Sequence, residues 1–330
     1  MNKLPLIDTY GRRHNNLRVS VTDRCNLRCT YCMPEDVTFR DKSELLSFEE
    51  MTCIVSVAAT LGVNKVRLTG GEPLLRRGLP ELARMIVAVP GITDVGLTTN
   101  GILLAEQAEA LHAAGLRRLN VSLDTLDPGR FRELARRDGL DRVLAGLATA
   151  KALGFAIKLN AVALRGFIEH DAGPLAHYCR ENGFELRFIE SMPIGAQPWD
   201  RSQAVLAHEL LEILDREVSP LAPATDYDPS APAMEFEYAD GLGRVGIIAS
   251  VSRPFCKSCN RLRLTADGKL RNCLFALDET DVKAFVRRDV PDLEAIADAF
   301  RSSVRSKWEG HEINSAKFVK PGRTMHAIGG

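Results

Sequence analysis

What most constrains this chain is a repeat: a short β-branched run followed by an amphipathic stretch, recurring through its first two thirds. Candidate strands occupy residues 17–21, 65–68, 94–97, 118–123, 156–160 and 185–189, and helical periodicity fills residues 47–61, 79–89, 104–114 and 140–153. Ser47 followed by Glu50 is a capping box that starts the first of these helices. Strands alternating with helices predict an α/β fold, a parallel sheet joined by right-handed crossovers that either opens flat or curls towards a barrel. In both cases ligands gather beyond the C-terminal ends of the strands.

After Met192 the pattern changes. Residues 203–217 read as one more helix, followed by Pro220, Pro223, Pro229 and Pro232. Short strands are expected at residues 234–238, 245–250, 261–265 and 269–273, with Asp267-Gly268 as a hairpin turn, then helical patterns near 278–288 and 293–308. The expected division is a first domain at residues 1–200 and a second at 201–330.

Lys plus Arg equals Asp plus Glu at 43 each, so bulk charge gives no reason to expect nucleic acid or a membrane surface as partner. A polyanionic ligand would have to be held by a local cationic cluster. The N-terminus lacks an apolar core of signal-peptide length, and no apolar run reaches the roughly 18 residues of a membrane span. The reading is cytoplasmic, where cysteines serve as metal ligands more often than as disulfides. Cys53 and Cys179 sit within helical patterns as small hydrophobes; the other six cysteines fall into two groups of three.

Cys25, Cys29 and Cys32 follow the first strand in a C-x3-C-x2-C arrangement. Three thiolates can hold three irons of a [4Fe–4S] cluster and leave the fourth open. The alternative is a structural zinc site, which wants a fourth Cys or His close by, and Cys53, His14 and His112 are poorly placed for it. Cys256, Cys259 and Cys273 form C-x2-C-x13-C, again three ligands without a fourth nearby, with zinc and a distant His311 as the alternative.

Thr22-Asp23-Arg24-Cys25-Asn26-Leu27-Arg28-Cys29-Thr30-Tyr31-Cys32 at the end of a first strand resembles the radical S-adenosylmethionine (SAM) superfamily. Thr69-Gly70-Gly71-Glu72-Pro73 follows the second strand, where the same resemblance expects backbone close to a ligand and Glu72 as acceptor for the methionine ammonium. The second triad, within Phe255-Cys256-Lys257-Ser258-Cys259-Asn260-Arg261-Leu262-Arg263 and followed by Cys273-Leu274-Phe275, narrows the resemblance to the GTP 3′,8-cyclase family of molybdenum cofactor biosynthesis. It implies an incomplete TIM-type (β/α)6 barrel with a C-terminal α+β extension that carries a second iron–sulfur cluster.

The resemblance implies two [4Fe–4S] clusters, at Cys25/Cys29/Cys32 and at Cys256/Cys259/Cys273, with SAM chelating the open iron of the first. It assigns Tyr31, Gly71, Ser122 and Met192 to SAM. It assigns Arg18, Arg67, Thr98 (with Thr99 as neighbouring alternative), Lys158, Arg261, Leu262 and Arg263 to GTP. A triphosphate needs such cations, and alternation on a strand puts Arg261 and Arg263 on one face. The implied reaction is abstraction of the ribose C3′ hydrogen by a 5′-deoxyadenosyl radical, then closure of the C3′–C8 bond. The closing Gly329-Gly330 reads either as a frayed terminus or, by resemblance, as a tail threading back to the active site. Implied partners are GTP, an electron donor, the next enzyme of the pathway (cyclic pyranopterin monophosphate synthase) by product transfer, and a second copy in a homodimer. The competing readings are a peptide-modifying radical SAM enzyme with an auxiliary cluster and a non-enzymatic zinc protein.

Overall fold

The computed structural model describes residues 5–195, 198–226, 228 and 230–329. Its leading strands are β1 (Asn16–Ser20), β2 (Lys65–Thr69), β3 (Asp94–Thr99), β4 (Arg118–Ser122), β5 (Ala156–Ala163) and β6 (Glu185–Glu190). Each pairs in parallel with the next. The crossovers carry α1 (Phe48–Thr60), α2 (Leu79–Val87), α3 (Leu104–Ala113), α4 (Pro128–Ala135), α5 (Leu140–Ala152) and α6 (Ile168–Asn182). Ser47 and Glu50 close the expected capping box of α1 in both directions, at 3.1 and 2.6 Å. Helix α6 lacked a clear periodic signal because Asp171, Gly173 and Pro174 lie inside it.

Residues 201–330 do more than follow this unit. They supply α7 (Ala207–Glu217), β7 (Leu221–Pro223), β8 (Met234–Tyr238), β9 (Arg244–Ile248), β10 (Arg261–Leu264), β11 (Lys269–Arg271), β12 (Thr280–Asp281), α8 (Lys283–Val286), α9 (Leu293–Arg305) and α10 (Met325–Ile328). Strand β10 adds in parallel beside β1, and β9 in parallel beside β6. The described residues thus form one open sheet of order β12-β11-β10-β1-β2-β3-β4-β5-β6-β9-β8-β7, an incomplete barrel extended at both edges. Two expected helices are corrected. Residues 278–288 hold the short strand β12, paired with β11, and a single turn, α8, because Asp281 turns the chain by accepting the Lys283 amide at 3.0 Å. The helix expected from 203 begins only at Ala207, because Asp200 caps a separate turn at Arg201–Gln203.

Strand alternation divides the sheet into two chemistries. Leu17, Leu68, Leu97, Leu119, Val121, Leu159, Phe188 and Leu262 are fully buried on the helix-facing side. The other face carries Asn16, Arg18, Arg67, Thr98, Asn120, Ser122, Asn160 and Arg187 into the concavity. Burial of the apolar face holds the barrel, which leaves the polar face free for a ligand.

Candidate active site

A cavity of about 290 Å³ opens at the C-terminal ends of β1–β6. Cys25, Cys29 and Cys32 all face it from the loop after β1, and all are free thiols. Burial pushes Cys25 up to about 11 and Cys32 to about 12, and raises Cys29 well above the usual thiol range. Such thiols stay protonated until a metal displaces the proton. Among the described residues no three His, Cys, Asp or Glu side chains converge as one metal ion requires. A loop of three thiols suits a cluster, in which each thiolate takes its own iron.

The Gly-Gly turn after β2 positions this loop. A Cβ on Gly71 would lie 2.4 Å from the Arg24 carbonyl oxygen, and one on Gly70 would lie 2.5 Å from that of Thr22. The Gly71 amide donates to Thr22 at 2.8 Å and the Glu72 amide to Arg24 at 2.7 Å. Glu72 also has a structural part. Its carboxylate is fully buried and accepts from the Thr99 hydroxyl, the Asn100 amide and the Leu74 amide, at 2.7, 2.7 and 2.9 Å. Burial raises it to about 7 against those bonds. It ties the β2 turn to the end of β3, with Oε1 accepting two donors and Oε2 one.

Tyr31, Gly71, Ser122 and Met192 line the cavity with the thiols. The Tyr31 hydroxyl donates at 2.7 Å to Asp124, which also accepts the Val162 amide at 2.8 Å. Burial lifts Asp124 to about 6. Asp124 and Asn100 escaped sequence reasoning, although they sit two residues and one residue after a strand end. Asn100 donates to Asn26 at 2.7 Å, beside Cys25.

The cationic residues gather by register. Arg263, Arg18 and Arg67 are lateral neighbours on β10, β1 and β2, and Arg261 lies two residues before Arg263 on the same face. Neighbouring strands stand about 4.8 Å apart, so the guanidiniums repel one another. Among the described residues none of the four forms an ion pair, and Arg67 Nη1 and Arg261 Nη2 are buried without a hydrogen-bond partner. Burial, then Arg263, Arg261 and Arg67, depress Arg18 strongly; burial also depresses Arg67 and Arg263 to about 10. Thr98 shares the concave face with Asn120, while Thr99 is spent on Glu72. Lys158 lies on the same face but is ion-paired with Glu185 at 2.5 Å and does not line the cavity. The Leu262 side chain is in the core, so only its backbone is on offer.

The C-terminal tail returns to this site. Arg323 anchors it with two bonds to Asp267, both 2.9 Å, and one to Glu279 at 2.7 Å. Met325 and His326 then line the cavity, and Arg263 donates to the Gly329 carbonyl. A Cβ on Gly329 would meet Ser20 Cβ at 2.8 Å, and φ there is +91°. Gly330 lies outside the described residues.

Cys256, Cys259 and Cys273 sit beyond Arg261, outside the cavity lining. Burial pushes Cys259 up, but Arg261 and Lys307 outweigh it and hold the thiol near 6. Cys256 is raised by burial, which there outweighs Lys307. Arg12 clamps the loop by donating to the carbonyls of Cys256, Trp308 and Glu309 at 2.7, 2.6 and 2.8 Å.

Two family models match, the radical SAM superfamily at residues 19–179 and Molybdenum Cofactor Synthesis C at residues 184–313. A GTP 3′,8-cyclase of Streptomyces coelicolor is 48% identical over 98% of this chain and 96% of its own. That of Rhodopirellula baltica is 45% identical over 99% and 92%. Among solved structures, Streptococcus suis SuiB bound to S-adenosylmethionine matches with TM-score 0.60 at 16% identity, covering 92% of this chain and 68% of its own. Native anSMEcpe with bound AdoMet gives 0.59 at 16%, covering 90% and 82%. At such identities these two structures speak for the fold alone.

Proposed function

This chain belongs to the GTP 3′,8-cyclase family, a radical SAM family of molybdenum cofactor synthesis, and we propose how its own residues carry the cyclisation of GTP. The observation that carries the assignment is the row Arg263–Arg18–Arg67 with Arg261: among the described residues none of the four forms an ion pair, and Arg18, Arg67 and Arg261 line the same cavity as three free thiols. Four mutually repelling cations are costly to hold together without an anion, and a triphosphate offers about four negative charges.

Cys25, Cys29 and Cys32 fit an iron–sulfur cluster with an open iron, and Tyr31, Gly71, Ser122 and Met192 surround the place for SAM. When bound and reduced, that pair supplies a 5′-deoxyadenosyl radical to the ribose C3′ of GTP. Arg18, Arg67, Arg261 and Arg263 hold the triphosphate, Thr98 adds a hydroxyl, and the backbone of Leu262 runs between the two arginines. Lys158 joins them by exchanging Glu185 for a phosphate. Gly329, held by Arg263, closes the cavity wall and keeps water from a carbon radical. Cys256, Cys259 and Cys273 fit a second cluster on the far side of Arg261, facing the guanine end.

Anaerobic incubation with SAM, dithionite and GTP tests this reading. The expected products are 5′-deoxyadenosine and a 3′,8-cyclised GTP in equal amounts. Deoxyadenosine without any cyclised nucleotide would reject it. No helix among the described residues is long and apolar enough to cross a membrane.

A further inference from the structure

Lys307 follows α9 and is 4% exposed, yet none of the described carboxylates pairs with it. Its ammonium donates to the Arg261 carbonyl at 3.0 Å and to the Asn272 carbonyl at 2.5 Å. It also lies 3.5 Å from Cys259 Sγ. Those acceptors belong to the two segments that carry Cys259 and Cys273, and the first also carries Arg261. Arg12 grips the remaining segment, at Cys256, together with residues 308 and 309. The two buried cations differ in one respect. Arg12 is neutralised by Asp8 at 2.5 Å, whereas Lys307 has no carboxylate among the described residues, only two carbonyls and the Cys259 sulfur as acceptors. A buried ammonium without a carboxylate partner is expensive, unless something negative is meant to stand there.

We propose that Lys307 is a positioning residue of the second triad: it fixes the spacing of the Cys259 and Cys273 segments and supplies the positive charge that a negatively charged iron–sulfur cluster requires beside Cys259. This rests on the reading of Cys256, Cys259 and Cys273 as a cluster site. A fixed positive charge at that distance favours the more negative, reduced form of the cluster. It also favours the thiolate over the thiol as ligand. Lys307 does not line the cavity shared by Tyr31, Ser122, Arg18 and Arg67, so its influence on the reaction runs through the second triad and through Arg261.

The test uses the full chain with Cys25, Cys29 and Cys32 changed to Ala, so that only the second triad can hold iron. The parent, Lys307→Gln and Lys307→Arg are reconstituted anaerobically, assayed for iron and sulfide, and titrated potentiometrically with detection by electron paramagnetic resonance. Gln keeps amide donors for the two carbonyls and removes the charge, while Arg keeps the charge. In Lys307→Gln the reduction equilibrium should shift about tenfold towards the oxidised state, about 59 mV for one electron, and Lys307→Arg should stay near the parent. Loss of iron in the Gln chain with retention in the Arg chain supports the proposal as well. A Gln chain with the parent's potential and iron content overturns it, as does an Arg chain that shifts or loses iron as Gln does. Circular dichroism of the cluster-free chains identifies a folding failure, in which case Lys307→Arg alone decides. A parent that binds no iron at all rejects the cluster reading itself, a result distinguishable from failure of the Lys307 argument.

Discussion

Replacing Gly71 by alanine puts a methyl group 2.4 Å from the Arg24 carbonyl oxygen and 2.6 Å from that of Asp23. Ordinary contact begins near 3.4 Å, so the two backbones must part by roughly 1 Å. Both sides are main chain, and neither has a rotamer to yield. Such a shift stretches the Gly71–Thr22 and Glu72–Arg24 bonds, now 2.8 and 2.7 Å, beyond hydrogen-bonding range. Two lost bonds at about 1 kcal/mol each and about 1–3 kcal/mol of overpacking bound the cost at about 3–5 kcal/mol if the loop holds. For a chain of this length that lowers Tm by about 6 °C. If the loop gives way, stability falls less, but Cys25, next to Arg24, moves off its partners. The expected outcome is the second: after anaerobic reconstitution the chain loses about four iron and its SAM binding, with a Tm drop below that bound. Iron at the second triad should persist as an internal control. Gly154→Ala, at φ +81° with nothing within 4 Å, carries backbone strain alone and should keep all its iron. A Gly71→Ala chain with full iron, unchanged SAM affinity and unchanged Tm would refute the claim that this glycine seats the cluster loop.

Arg263→Met should raise KM for GTP at least tenfold and flatten its salt dependence, leaving iron at both triads intact, as steady-state kinetics at two ionic strengths would reveal. Deleting residues 329 and 330 should abolish cyclisation while SAM cleavage and iron content continue; full cyclisation in the deletion would exclude a role for the tail. Arg323→Met should reproduce part of that loss and expose the tail to limited proteolysis, since Asp267 and Glu279 then release it. His14, fully buried, is lowered to about 4 by burial and by Lys307, from 6.5 when unfolded. Its neutral form therefore contributes stability above pH 6.5 that is lost as pH falls towards 4, about 3 kcal/mol. In His14→Gln, Tm should vary less across that interval; an unchanged slope would show that other groups set it.

The chemistry of this chain was legible where spacing alone specifies it, and illegible where register does. Three thiols in C-x3-C-x2-C announce themselves because a loop that short must present them together. The six β–α units were equally plain, since periodicities of 2 and 3.6 follow from which face meets the core. Nothing local, however, says that β10 inserts beside β1, and that pairing makes Arg263, Arg18 and Arg67 one row. Glu72 shows the converse. A carboxylate in a Gly-rich turn reads as ligand-facing, yet three donors from residues 74, 99 and 100 were already waiting for it. Lys307 had no signal at all, being one lysine in a helical tail. Each of these residues takes its meaning from a pairing between distant segments, and the parallel sheet makes those pairings. It sets side chains from β10, β1 and β2 about 4.8 Å apart on one face, a spacing at which like charges are tolerable only if a ligand completes them. The sheet register that gathers the cations is therefore also what favours an anion there, and on the proposed reading a chain that lost the β10–β1 pairing should lose its affinity for GTP before it loses iron at Cys25, Cys29 and Cys32.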